Sequence, residues 1–330
     1  MPRPKIAVSH VGGSIGMVRN QKTGRIEQIE SVTDIHRFVP ELQKEVSLEF
    51  FSLQNILSSE IRAEHWTEIV RTIAGVYDDY EGFVVIHGTN TMSYTAAALS
   101  FALQNLSKPI VFTGSILPIN DIGGDSRVNL VYAVRTAQLD LAEVCITLGP
   151  RVLRGNRAVK TDHAIFETFE TPKLNPLAEF HTGIDLNPSR TVRRKRTLVC
   201  RPDFDSNVVC LTMHPGAPMR FYDAVLDSAP HGIVVRAYGL GLLPEDLLPW
   251  LRRANDRNIP VVIVSQLIRG SIDLHNYHMQ LTLEQLGVIS AKNMTTECAI
   301  AKLMWALTQT KSESRLKELM ERNLVGELDE

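Results

Sequence analysis

The sequence predicts an α/β protein of two domains, with a mainly parallel N-terminal sheet flanked by helices and a smaller C-terminal α/β unit. Three observations lead there. Short β-branched runs alternate with longer helical patterns, an order that builds parallel sheets with helical crossovers. At 330 residues with 44% hydrophobic content, the chain is long enough for two cores. Two strand ends break abruptly into loops rich in glycine and hydroxyls, where open α/β sheets hold their ligands.

In order, Ile6–Ser9 reads as a first strand entering His10-Val11-Gly12-Gly13-Ser14-Ile15-Gly16-Met17. A helix is expected over Ala63–Tyr77. The run Phe83–Ile86 is a buried strand that ends in His87-Gly88-Thr89-Asn90-Thr91-Met92, with a helix over Ser93–Leu106. Strands at Ile110–Thr113 and Val144–Leu148 enclose a helix over Arg127–Asp140. Further strands fall at Val208–Thr212, Ile233–Arg236 and Val261–Val264, with helices over Pro244–Arg257, Thr295–Thr308 and Glu313–Arg322. Pro244 suits a helix first turn, where no backbone donor is needed.

Between about Thr182 and Asn207 the alternation fails, and the basic run Arg193-Arg194-Lys195-Arg196 appears. No other basic surface extends it, so it reads as a solvated interdomain linker. The expected organisation is a catalytic α/β domain over 1–190, a linker over 191–206 and a second α/β domain over 207–330.

Composition excludes several classes. A formal net charge of -2 gives no attraction for nucleic acid or an anionic membrane. No apolar run approaches the roughly 18 residues of a membrane span, and the N-terminus shows no signal-peptide core. The four cysteines form no C-x-x-C pair and no zinc spacing; Cys145 and Cys210, in apolar strand runs, are expected to be buried and inert. A cytoplasmic protein without a metal follows. Gly12-Gly13-Ser14-Ile15-Gly16 lacks the G-x-G-x-x-G spacing of dinucleotide sites.

Taken singly, the polar residues are ambiguous. Ser14, Thr89 and Thr91 suit helix or turn caps as well as chemistry. Ser58-Ser59-Glu60 suits a cap for the helix around Ala63–Tyr77, and Lys160 suits a surface position. His87 reads as a satisfied structural histidine.

Their order along the chain is more specific. Gly12–Met17, Ser58-Ser59-Glu60, Gly82–Met92, Lys108-Pro109-Ile110-Val111, Arg154-Gly155-Asn156-Arg157-Ala158-Val159-Lys160, Asn293-Met294-Thr295-Thr296-Glu297 and Arg322–Leu328 resemble the bacterial-type asparaginase/glutaminase family. The likeness is to its cytoplasmic type I branch and covers nearly the whole chain. It implies an asparaginase-like fold and hydrolysis of a side-chain carboxamide, in L-asparagine or a similar amide, to the acid and ammonia. No cofactor is implied. Ser14 would attack the amide carbon, and Thr89 would be a second hydroxyl served by Lys160. Ser58 and Ser59 would hold the substrate carboxylate. Glu297 would be contributed across a subunit interface of a homodimer or homotetramer.

The chain departs from that pattern on the substrate side. Asn90 stands where the family has an aspartate that meets the substrate ammonium. Ser14 replaces a threonine, and Arg25 replaces a mobile-loop tyrosine. Asn293 replaces an aspartate common in the branch. Ser265-Gln266-Leu267 lacks the branch's cysteine, and Leu274-His275-Asn276-Tyr277-His278 replaces a glycine-rich turn. Two further readings therefore stay open: an amide with a modified or missing α-amino group, or a homologue that only binds ligand.

Overall fold

The computed structural model describes residues 3–274 and 278–329. The chain forms two compact units, Met1–Pro202 and Asp203–Glu330.

In the first unit eight strands make one sheet: β1 (Lys5–His10), β2 (Ser47–Ser52), β3 (Gly82–Ile86), β4 (Ile110–Thr113), β5 (Val144–Leu148), β6 (Arg151–Arg154), β7 (Ala178–Phe180) and β8 (Ile184–Leu186). Their spatial order is β8-β7-β6-β5-β4-β3-β1-β2. The five strands from β2 to β5 in that order are parallel, and β6 to β8 continue antiparallel. Every residue of β3 and β4 is buried, as strands covered on both faces must be. Ile6, Val8, Val84, Ile86 and Val111 pack in one core with Leu130, Ala133 and Val134 of α3 (Ser126–Thr136). Two other helices, α1 (Ala63–Gly75) and α2 (Met92–Ala102), make the crossovers on either side of β3.

The chain leaves β1 for β2 on one side and then returns to β3 on the other. Strand order reverses at the β1–β3 seam, the place where an open α/β sheet leaves a crevice beyond its carboxyl ends.

Several boundaries differ from the sequence reading. Helix α2 stops at Ala102 because Leu103–Gln104 pairs with Val199–Cys200. Helix α3 stops at Thr136. Residues 191–202 are knitted to the first unit. Ala142 N–H donates to the Thr191 carbonyl, and the Arg193 guanidinium donates to the carbonyls of Leu139, Glu81 and Ala137. Arg194, Lys195 and Arg196 remain exposed.

The second unit holds a parallel sheet of β9 (Val208–Thr212), β10 (Gly232–Ala237), β11 (Val261–Ser265) and β12 (Ile289–Ser290), in that order. Its helices are α4 (Met219–Asp227), α5 (Leu248–Asp256), α6 (His278–Gln285), α7 (Thr296–Gln309) and α8 (Glu313–Glu321). Trp250 of α5 packs with Ile233, Val235 and Ile263. Pro244 precedes a short 3-10 turn, Glu245–Leu247, and the proline in the first turn of α5 is Pro249. Cys145 is buried as expected, but Cys210 is exposed, because β9 is an edge strand whose outer residues are uncovered.

At the C-terminus, Lys302 of α7 and Glu327 form a fully buried ion pair at 2.5 Å. The ammonium also donates to the carbonyls of Met320 and Arg322. Asn293 ties the same tail, donating to Asp329 at 2.6 Å. His275, Asn276 and Tyr277 lie outside the described residues. Among the described residues no helix is long and apolar enough to cross a membrane.

Candidate active site

Three loops meet at the carboxyl ends of β2, β1 and β3. The β1 loop passes through Gly12 and Gly13 with φ of 148° and 97°, values that L side chains rarely adopt. A Cβ on Gly13 would lie 2.8 Å from the Cα and N of Gly88. A Cβ on Gly88 would lie 2.8 Å from the Ser58 side chain. Without side chains, these glycines let the Ser14, Ser58 and Thr89 segments pack directly against one another.

Ser14 opens a 3-10 turn, Ser14–Gly16, and is half-buried. Ser58 is buried and Ser59 exposed. Ser58 caps no helix, since Arg62 holds the N-cap of α1. Thr91 stands at the N-cap of α2, but its hydroxyl donates instead to the Ser58 carbonyl at 2.7 Å. The capping roles that sequence allowed for Ser58 and Thr91 are thus not taken up.

Thr89 is buried, and Lys160 reaches it from the short strand Val159–Lys160 that follows the Gly155–Arg157 turn. Lys160 Nζ lies 2.7 Å from Thr89 Oγ1 and 2.7 Å from Asn90 Oδ1. Burial pushes the Lys160 ammonium below its ordinary pKa. A lysine amine so placed can take a proton from a hydroxyl and return it.

Beneath this loop His87 is fully buried, and burial lowers its pKa to about 4. The neutral ring donates from Nδ1 to the Gly88 carbonyl at 2.7 Å. Its Nε2 then accepts from the Thr95 hydroxyl at 3.0 Å, which accepts from Trp66 Nε1 at 3.0 Å. The Thr91 carbonyl, at 3.3 Å, is a second and longer acceptor for the Thr95 hydroxyl. Trp66 and Thr95 escaped the sequence reading, for nothing in a spacing of 29 residues signals the contact.

Arg25 lies in the turn of a hairpin formed by Met17–Arg19 and Ile26–Gln28, and is exposed. Its guanidinium has no partner among the described residues. The hairpin is fastened next to its turn by Arg19, whose guanidinium donates to both oxygens of Asp121 at 2.9 and 2.8 Å. Asn120 accepts from Arg19 N–H at 2.7 Å. Glu297 belongs to the second unit, in the first turn of α7, where burial raises its carboxyl pKa. Among the described residues no group of acidic, histidine or cysteine side chains could hold a metal ion.

Loops of this kind at a strand-order reversal occur in many enzymes, and comparison with known proteins narrows the choice. The family profile "Asparaginase, N-terminal" matches residues 5–192, and "Glutaminase/Asparaginase C-terminal domain" matches residues 207–320. The chain belongs to the asparaginase family. It is an amidohydrolase of that family by descent, and its likeness to L-asparaginase 1 of Escherichia coli K12 reaches 33% identity over 99% of both chains. A glutamyl-tRNA(Gln) amidotransferase component of Methanobrevibacter smithii is 31% identical over 99% of this chain and 78% of its own length. The solved structure of the thermostable L-asparaginase from Thermococcus kodakarensis superposes with a TM-score of 0.92 at 30% identity, covering 99% of each chain. The asparaginase fold is therefore common to all of the chain, including both units.

Proposed function

We propose that this asparaginase-family protein hydrolyses the side-chain carboxamide of L-asparagine or an asparagine-like amide, releasing the acid and ammonia. The observation that carries the reading is the ammonium of Lys160 at 2.7 Å from the Thr89 hydroxyl, on a loop in contact with the one that bears Ser14.

In this reading Ser14 Oγ attacks the amide carbon, a C–O bond forms and the C–N bond breaks. The hydroxyl proton passes to the leaving nitrogen, which departs as ammonia. Water then splits the ester, so that one difficult displacement becomes two easier ones. Lys160 and Thr89 carry the proton, and the Thr89 N–H, oriented by the His87–Gly88 contact, faces the developing oxyanion. Ser58 and Ser59 hold the substrate carboxylate.

A second reading is favoured by Asn90 and Arg25. They remove a carboxylate and add a cation, so a substrate with a modified or missing α-amino group fits as well as asparagine. Arginine pairs with an additional carboxylate through its two-pronged donor set. The likeness to the type I branch further supports a cytoplasmic homodimer or homotetramer in which Glu297 serves a neighbouring subunit's site.

The test is ammonia release from L-asparagine, L-glutamine, N-acetyl-asparagine and succinamate. Release from at least one, lost in Ser14→Ala and Thr89→Val, supports hydrolysis; no release from any of the four refutes it.

A further inference from the structure

We propose that Asn90 selects substrates carrying an oxygen acceptor, either a hydroxyl or keto oxygen in place of the α-ammonium of asparagine or an acyl oxygen borne on the α-nitrogen. The inference rests on reading Thr89 and Lys160 as an amide-hydrolysing centre, and it names the substrate class of that centre.

The orientation of the Asn90 amide follows from what each nitrogen can do. Lys160 donates to Asn90 Oδ1 at 2.7 Å. The lysine ammonium has only protons to give, and the carboxamide NH2 can only give its own. The oxygen of Asn90 must therefore face Lys160, and its NH2 must face away. That nitrogen has no partner among the described residues, and Asn90 is exposed. One fixed contact thus turns a residue able to donate or accept into an outward donor.

An aspartate in the same place would behave differently. One of its oxygens would accept from Lys160 and the other would remain an acceptor, suited to an ammonium. In this chain the neighbouring charge has the opposite sense as well. Lys160 bonds to a hydroxyl and an amide oxygen, and burial alone shifts it, with no carboxylate contributing. A substrate ammonium beside Asn90 would meet an N–H donor and a second cation. A substrate oxygen there would accept from the amide and be favoured by the same cation.

Reach is set by the lysine itself. Its Nζ bridges Thr89 Oγ1 and Asn90 Oδ1, so the outward NH2 stands one side-chain amide away from the proton-carrying hydroxyl of Thr89. A carboxamide bound at Thr89 places groups two or three bonds along its chain within range of that donor.

The experiment measures kcat/KM for ammonia release by the full-length protein with three probes: L-asparagine, L-2-hydroxysuccinamate and N-acetyl-L-asparagine. The hydroxy acid replaces the ammonium by an oxygen of the same size. The expected result is that at least one oxygen-bearing probe exceeds asparagine by about tenfold or more, and that Asn90→Asp reverses the order. Asparagine leading in the wild type, or a ratio that Asn90→Asp leaves unchanged, overturns the proposal while leaving amide hydrolysis intact. Ammonia from none of the three, with succinamate and L-glutamine equally inert, overturns the hydrolytic reading and this inference with it. If Asn90→Asp does not fold, Asn90→Leu replaces it. Loss of the donor should then slow the oxygen-bearing probes more than asparagine, and an equal effect on all three contradicts the proposal.

Discussion

Lys160 and Asn90 are joined by a 2.7 Å hydrogen bond in which the lysine meets an amide oxygen and no negative charge. Burial lowers the Lys160 pKa without opposition. If the neutral amine is the working base, the rate climbs with pH through that lowered value. Asn90→Asp supplies a counter-charge, favours the ammonium and raises the pKa. The expected outcome is a rate–pH limb displaced to higher pH in Asn90→Asp, read from kcat/KM on one substrate across the alkaline range. A limb that stays or moves to lower pH contradicts the assignment.

Thr95 is the hinge of the buried Trp66–Thr95–His87 chain. Thr95→Val keeps the shape and removes the hydroxyl that accepts from Trp66 Nε1 and donates to His87 Nε2. Stranding the buried His87 Nε2 costs about 1–3 kcal/mol. Urea unfolding should show a loss in that range. Because the chain orients the Gly88–Thr89 peptide, kcat should fall more than KM rises. Full stability in Thr95→Val would mean the three side chains are not coupled.

Acid should destabilise the protein in a defined window. Burial lowers the pKa of His87 and of His10 from 6.5 to about 4. Above pH 6.5 both rings are neutral whether the chain is folded or not, and their contribution is fully present. Between 6.5 and 4 the unfolded chain binds protons that the folded one refuses, so stability falls as pH falls; below 4 the loss is complete. Each ring accounts for up to about 3 kcal/mol. Chemical denaturation at pH 7 and pH 4.5 measures the slope, and His87→Gln should flatten it. A slope unchanged by that substitution would contradict a buried neutral His87.

The Lys302–Glu327 pair holds the C-terminal tail to α7. Lys302→Met leaves the Glu327 carboxylate buried with the backbone donors of Leu324 and Val325 but without its counter-charge. Removing one partner of such a pair costs about 3–5 kcal/mol. The double change Lys302→Met with Glu327→Gln should recover part of that loss. Thermal unfolding compares the three proteins, and a single variant as stable as the wild type would show that the pair contributes nothing.

The sequence made the parallel strands legible because buried β-branched runs such as Phe83–Ile86 have few other uses. It was weaker at the sheet margins. Ser47–Ser52 is half-exposed along most of its length, and Ala178–Phe180 and Ile184–Leu186 are three residues each, too short to show a period. Helix ends overran where strand pairing competes, as at Leu103–Gln104. Only Arg193 departs from the solvated reading of the basic run, because a guanidinium that donates to backbone carbonyls looks in sequence like any solvated arginine. Around the candidate site, motif order pointed to Thr89, Asn90 and Lys160. Only the folded chain brings Lys160 to the Asn90 amide and sets Trp66 and Thr95 under the loop.

The most direct measurement is ammonia release by Lys160→Met on the best substrate of the wild-type protein. Loss of the proton-carrying amine should lower kcat by about 10²–10⁴ fold while the protein remains folded. A Lys160→Met variant as active as the wild type would contradict the account.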